Sequence, residues 1–125
     1  MIAAESSPFL LHDAPINPDW IIYGAPRARA KQENSGELSQ GFWDCTDGSF
    51  DWYYGGAESI YILKGSAMVR NREPRSPWVT LGPCDTFTFP SGSVFEWRIR
   101  EYVYKHFVIA PAPSILKRAL RKLRA

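Results

Sequence analysis

Residues able to carry acid–base, nucleophilic or metal chemistry are scarce in this chain, and the scarcity constrains function first. Its 125 residues hold two histidines, His12 and His106, and two cysteines, Cys45 and Cys84. Neither cysteine has a His or basic neighbour in sequence to lower its thiol pKa, so each is expected to serve as a small buried apolar side chain. No serine sits in a GxSxG elbow, and nucleophilic catalysis finds no support. The segment Tyr102-Val103-Tyr104-Lys105-His106-Phe107-Val108-Ile109 alternates as a strand, which puts His106 with Tyr102, Tyr104 and Val108 on one face. Lys105 then shares the other face with Val103, Phe107 and Ile109, and the pattern leaves open which face points inward.

The elements that must position these groups read as short strands. From residue 41 onward, β-rich runs at 41–46, 50–54, 59–64, 66–70, 78–81, 86–89, 94–99 and 102–109 are each bounded by turn signals. Those signals include Asp47-Gly48, Gly65, Gly82-Pro83 and Pro90-Ser91-Gly92. Strands of this number and spacing predict an all-β sandwich or closed barrel. Residues 1–40 read as an extended N-terminal arm with one short strand at 20–23 and a polar loop at 30–37. The core is expected over 41–110. Past Pro111 and Pro113 the period turns helical, with Ile115, Leu116, Ala119, Leu120 and Leu123 on one stripe, Ser114 as N-cap and a basic opposite face.

Composition excludes several classes. At 125 residues one domain is the default, and ten prolines with nine glycines suit strands punctuated by turns. Two cysteines without a CxxC pair make no disulfide framework, so a cytoplasmic home is expected. The N-terminus lacks the layout of a secretory signal, and no run approaches the roughly 20 apolar residues of a membrane span. All 13 acidic residues precede Ser114, against ten basic ones, while five basic residues follow it. The body is therefore acidic, and nucleic acid is not an expected partner. The basic stripe at 111–125 is read as a helix docked through its leucines rather than as a lipid anchor.

Two stretches resemble the cupin family. Glu58-Ser59-Ile60-Tyr61-Ile62-Leu63-Lys64-Gly65 is similar to the end of the first cupin motif, and Asp85-Thr86-Phe87-Thr88-Phe89-Pro90-Ser91-Gly92 to the core of the second. The runs 41–46 and 50–54, with Trp97 and 102–106, narrow the likeness to small cupins related to ureidoglycine aminohydrolase. The resemblance implies a jelly-roll barrel, or double-stranded β-helix, and a homodimer. It also implies positions for a metal: a His pair at Trp52 and Tyr54, the Glu at Glu58 and a third His at Phe95. Trp and Phe offer no lone pair and neutral Tyr a poor one, so no metal site or other cofactor is expected here. A divalent metal held by Glu58, His106 and water is the alternative.

Glu58 alone keeps its family position, and the parity of Ile60 and Ile62 aims it into the barrel, where it is the candidate catalytic acid or base. The other prospect for it is an ion pair with Lys105 or Arg98. The expected pocket gathers Trp52, Tyr54, Phe95, Trp97, Tyr104, Lys105 and His106 around it. Three functions compete. One is a metal-independent cupin binding a small molecule in an aromatic-lined barrel, and another is a metal-dependent enzyme of the ureidoglycine-aminohydrolase-related type. The third is a non-catalytic interaction protein with a solid barrel.

Overall fold

The computed structural model describes residues 10–36 and 38–110. Among the described residues nine strands make up the fold: β1 His12–Asp13, β2 Ile21–Tyr23, β3 Ala28–Ser35, β4 Leu38–Tyr53 and β5 Ala57–Gly65, then β6 Ala67–Asn71, β7 Val79–Leu81, β8 Thr86–Phe89 and β9 Val94–Ala110. A 3-10 turn at Pro18–Trp20 leads into β2, capped by the Asn17 side chain, which accepts from the Asp19 backbone N–H at 3.0 Å. The predicted helix at 111–125 and the first residues of the arm lie outside the described residues.

Two long strands organise everything else. β4 and β9, of 16 and 17 residues, run antiparallel along their whole length, from Ser39 opposite Ile109 to Tyr53 opposite Val94. A strand of this length cannot stay flat over a small core, so the pair folds over itself at a bulge between Thr46 and Gly48. On one side of the fold the order is β1-β3-β4-β9-β5-β8, and on the other β2 joins β4 while β6 and β7 extend β9. The two layers close on a core containing Cys45, Phe50, Ile62, Val69, Phe89, Trp97 and Val103. This is the all-β architecture read from the strand pattern, in the jelly-roll form that the resemblance implied.

Several local expectations change. Asp47-Gly48 is not a turn between two strands but the bulge inside β4, and 94–99 and 102–109 are likewise one strand. Gly48 is required there, with φ +153° and Pro26 only 2.7 Å from where a Cβ would lie. Gly65 does not reverse the chain either: β5 and β6 both pair antiparallel with β9, so the chain turns a corner and continues in the same direction. At φ +72° its missing Cβ would meet the Tyr102 carbonyl oxygen at 2.0 Å. The polar stretch read as a loop is β3, paired with β4 from Ala28 opposite Cys45 to Ser35 opposite Leu38. Its polarity arises because over Gln32, Glu33 and Asn34 both faces of the strand reach solvent.

Cys45 is sealed in the core, where burial first and the Asp44 charge second push its thiol up to about 12, so it stays an apolar thiol. Cys84 departs from expectation. It is exposed, at φ +73° in the turn before β8, with its backbone N–H given to the Ile62 carbonyl at 2.9 Å.

Candidate functional site

The site begins with the turn at 90–93. Gly92 takes φ +80°, and its N–H donates to the Tyr54 carbonyl at 2.7 Å, while the Tyr54 N–H donates to the Ser93 carbonyl at 2.9 Å. Tyr54 is thus held at both backbone groups just past the end of β4, and its ring lies flat on Phe89, with centroids 4.4 Å apart and planes at 5°. The Tyr54 hydroxyl accepts the Trp97 indole N–H at 3.0 Å. Burial first, then the Glu58 charge, push this phenol well above its ordinary pKa, which keeps its proton on.

Glu58 stands on β5 with Phe89 and Ile109 as cross-strand neighbours and shares its inward parity with Ile60 and Ile62. From β9, the alternation Val103, Lys105, Phe107 also points inward, which settles the face the sequence left open. Lys105 Nζ donates to Glu58 Oε2 at 2.9 Å, and both side chains are more than nine-tenths buried. The ammonium lies 4.8 Å from the Trp43 ring centroid, 5.3 Å from that of Trp97 and 5.6 Å from that of Phe107. Aromatic faces carry negative potential, so this cage stabilises the cation beyond its carboxylate partner.

A cavity of about 280 Å³ opens above the ion pair. Trp43, Phe50, Trp52 and Trp97 wall it, Tyr54, Glu58 and Lys105 supply its polar groups, and Ala14, Pro15 and Gln32 reach its rim. Pro15 and Gln32 are exposed, so the rim meets solvent. The indoles hold one another in place, with Trp43 edge-on to Trp52 at 6.1 Å and Trp97 stacked on Phe50 at 6.0 Å.

Of the residues predicted for the site, Trp52, Tyr54, Trp97, Lys105 and Glu58 line this cavity together. Phe95 packs one layer behind, edge-on to Phe89 at 4.8 Å and to Tyr54 at 6.1 Å. Tyr104 and His106 do not belong to it. Both sit on the outward face of β9, His106 against Phe42 at 5.0 Å and Tyr104 against Phe42 at 6.0 Å, because their parity is opposite to that of Lys105. Burial lowers the His106 pKa. Arg98, offered as an alternative partner for Glu58, faces outward over the Trp78 ring at 4.7 Å.

Trp43, Phe50 and Phe107 were not predicted. Phe50 was legible by counting back two from Trp52. Trp43 was hidden, because the bulge at 46–48 switches the inward parity of β4 from odd to even.

The residues present do not fit a metal. Trp52, Tyr54 and Phe95 stand at three of the four positions the motifs reserve for ligands, and Lys105 already occupies Glu58. His106 lies across the sheet from Glu58 and cannot join it. Among the described residues no group of three or more His, Cys, Asp or Glu converges.

Comparison with known proteins agrees with this architecture. Residues 32–107 match the model of the EutQ-like cupin domain. A protein of unknown function from Pseudomonas syringae pv. tomato superposes with a TM-score of 0.69 at 20% identity, over 80% of this chain and 44% of its own. EutQ from Clostridium difficile gives 0.61 at 20% identity, over 70% of this chain and 65% of its own. A putative ethanolamine utilization protein Q from Salmonella typhimurium LT2 gives 0.62 at 17% identity, over 82% and 95%. The chain thus aligns with less than two thirds of the length of the first two. At such identities the likeness is one of fold. No curated protein matches the sequence. Among the described residues no helix is long and apolar enough to cross a membrane.

Proposed function

The chain belongs to the EutQ-like cupin domain family, and from that membership we propose that it binds a small organic molecule in the barrel, using aromatic walls and an ion pair in place of a metal. The observation that carries this reading is the cavity itself. A barrel meant only to be solid would fill the space between Trp43, Trp52 and Trp97 with side chains, since interiors pack to crystal-like density. Instead about 280 Å³ stays open beside two charged groups. Carboxylate and ammonium are costly to bury, and sites that bind small molecules commonly combine apolar walls with a few such polar anchors.

The size favours a small ligand. A cavity of about 150 Å³ accepts benzene, so this one suits one ring with substituents. The test is a ligand-observed NMR screen of single-ring fragments against the native chain and against Ala30→Leu, which fills the cavity from its wall. Fragments are expected to bind the native chain and to be lost in the variant while its cooperative thermal transition is retained. Equal binding by the two proteins, or none by the native chain, overturns the reading.

A further inference from the structure

Taking the cavity as a ligand site, as proposed above, we infer the class of its ligand: a neutral, flat, single-ring molecule with an N–H donor and a carbonyl acceptor on adjacent ring atoms, that is, a cyclic amide. The inference starts from unspent hydrogen-bonding capacity. An ammonium has three N–H donors and a carboxylate two oxygens with about four acceptor sites. Among the described residues, the bond from Lys105 Nζ to Glu58 Oε2 is the sole side-chain hydrogen bond either group makes. Glu58 therefore still accepts, and Lys105 still donates, side by side at the cavity floor. The Tyr54 hydroxyl accepts from Trp97 and keeps its own proton to give.

Charge narrows the class. The floor is one carboxylate and one ammonium, so its net charge is zero. An amine ligand would compete with Lys105 for Glu58 and leave the ammonium caged by Trp43, Trp97 and Phe107 without its counter-ion. A carboxylate ligand would do the same to Glu58. Breaking one half of a buried pair is strongly unfavourable. A neutral donor–acceptor edge leaves the pair intact and satisfies both groups: its N–H donates to Glu58 and its carbonyl accepts from Lys105. The walls set the shape. Trp43, Trp52 and Trp97 present ring faces and edges, which favour a planar π-system over a bulky aliphatic one.

The full chain is titrated by calorimetry and protein NMR at neutral pH with four probes of similar size: 2-pyridone, benzoate, benzylamine and toluene. 2-Pyridone is expected to bind about tenfold or more tighter than each of the others, the gap that one or two surplus hydrogen bonds produce. In the apolar double variant Glu58→Leu with Lys105→Met, which leaves neither a donor nor an acceptor at the two positions, 2-pyridone should fall to the level of toluene. Benzoate or benzylamine binding the native chain more tightly than 2-pyridone, or toluene matching it, overturns the ligand class while leaving a ligand cavity in place. Failure of all four probes overturns the class and the cavity reading together. Should the double variant not fold, the native ranking alone decides between these outcomes.

Discussion

The two faces of the β4–β9 pair each bury an ion pair, and the two pairs are built to different ends. On the outward face, Arg29 Nε donates to Asp44 Oδ1 at 3.0 Å, a second guanidinium nitrogen reaches Oδ2, and Tyr102 donates to Oδ2 at 2.7 Å. Both carboxylate oxygens are engaged in a bidentate, charge-assisted arrangement. Burial first, then the hydrogen bond to Asp44, raise the Tyr102 pKa, which keeps the phenol a donor. On the inward face, Glu58 and Lys105 share one hydrogen bond beside an open cavity. A saturated pair has nothing left to offer a ligand, whereas an unsaturated one in an aromatic cavity does. The contrast separates architecture from binding more sharply than charge or burial could alone.

That contrast can be broken by experiment. Lys105→Met should have the largest effect, because it strands Glu58 in an apolar cavity, at a cost of about 3–5 kcal/mol; urea unfolding measures it, and a loss below about 1 kcal/mol would falsify the inner pair as a buried one. Asp44→Asn should cost less, about 2 kcal/mol, because the Arg29 side chain is 32% exposed and can turn to water. Removing only the third contact with Tyr102→Phe should cost about 1.5 kcal/mol by the same measurement. A cost above that of Asp44→Asn would show that Tyr102 does more than complete the pair.

Replacing both inner charges together by apolar side chains, Glu58→Leu with Lys105→Met, should change stability by about 1 kcal/mol or less, since a buried pair and an apolar substitute of similar volume are often equivalent. Equal losses in the single and double variants would show that the two groups are not coupled. The smallest effect concerns His106, on the outward face near Lys31 and Glu33. Its pKa is lowered in the folded protein by burial, so the unfolded chain binds a proton more readily. The neutral ring's contribution is complete above the unfolded value of about 6.5 and is lost as pH falls through the folded one. Thermal unfolding from pH 8 to pH 5 should show a shallower decline in His106→Gln than in the native chain, and identical slopes would remove His106 from the pH response.

Much of the site was legible in the sequence because β-structure has a period of two. Ile60 and Ile62 oriented Glu58 correctly, Pro90-Ser91-Gly92 marked the turn that clamps Tyr54, and Trp52 and Trp97, singled out through the cupin resemblance, line the cavity. Tyr104 and His106 stood beside Lys105 among the expected pocket residues because the alternation of β9 separates its two faces without saying which one points inward. Phe95 has the right parity but lies behind Tyr54 and Phe89, a matter of depth that alternation does not encode. β3 passed for a loop because a strand whose two faces both reach solvent over Gln32, Glu33 and Asn34 has little apolar patterning to show.

By itself, then, the sequence determined the all-β class, the turn at Pro90-Ser91-Gly92 and the aromatic side chains at 52, 54 and 95, since each depends only on residue type and local spacing. Tertiary structure decided which face of β9 carries Lys105 inward, that its ammonium meets Glu58, and that Trp43 closes over both. Those outcomes depend on a parity switch at the β4 bulge and on cross-strand pairing between residues 47 apart in sequence, and neither is expressed in any local pattern.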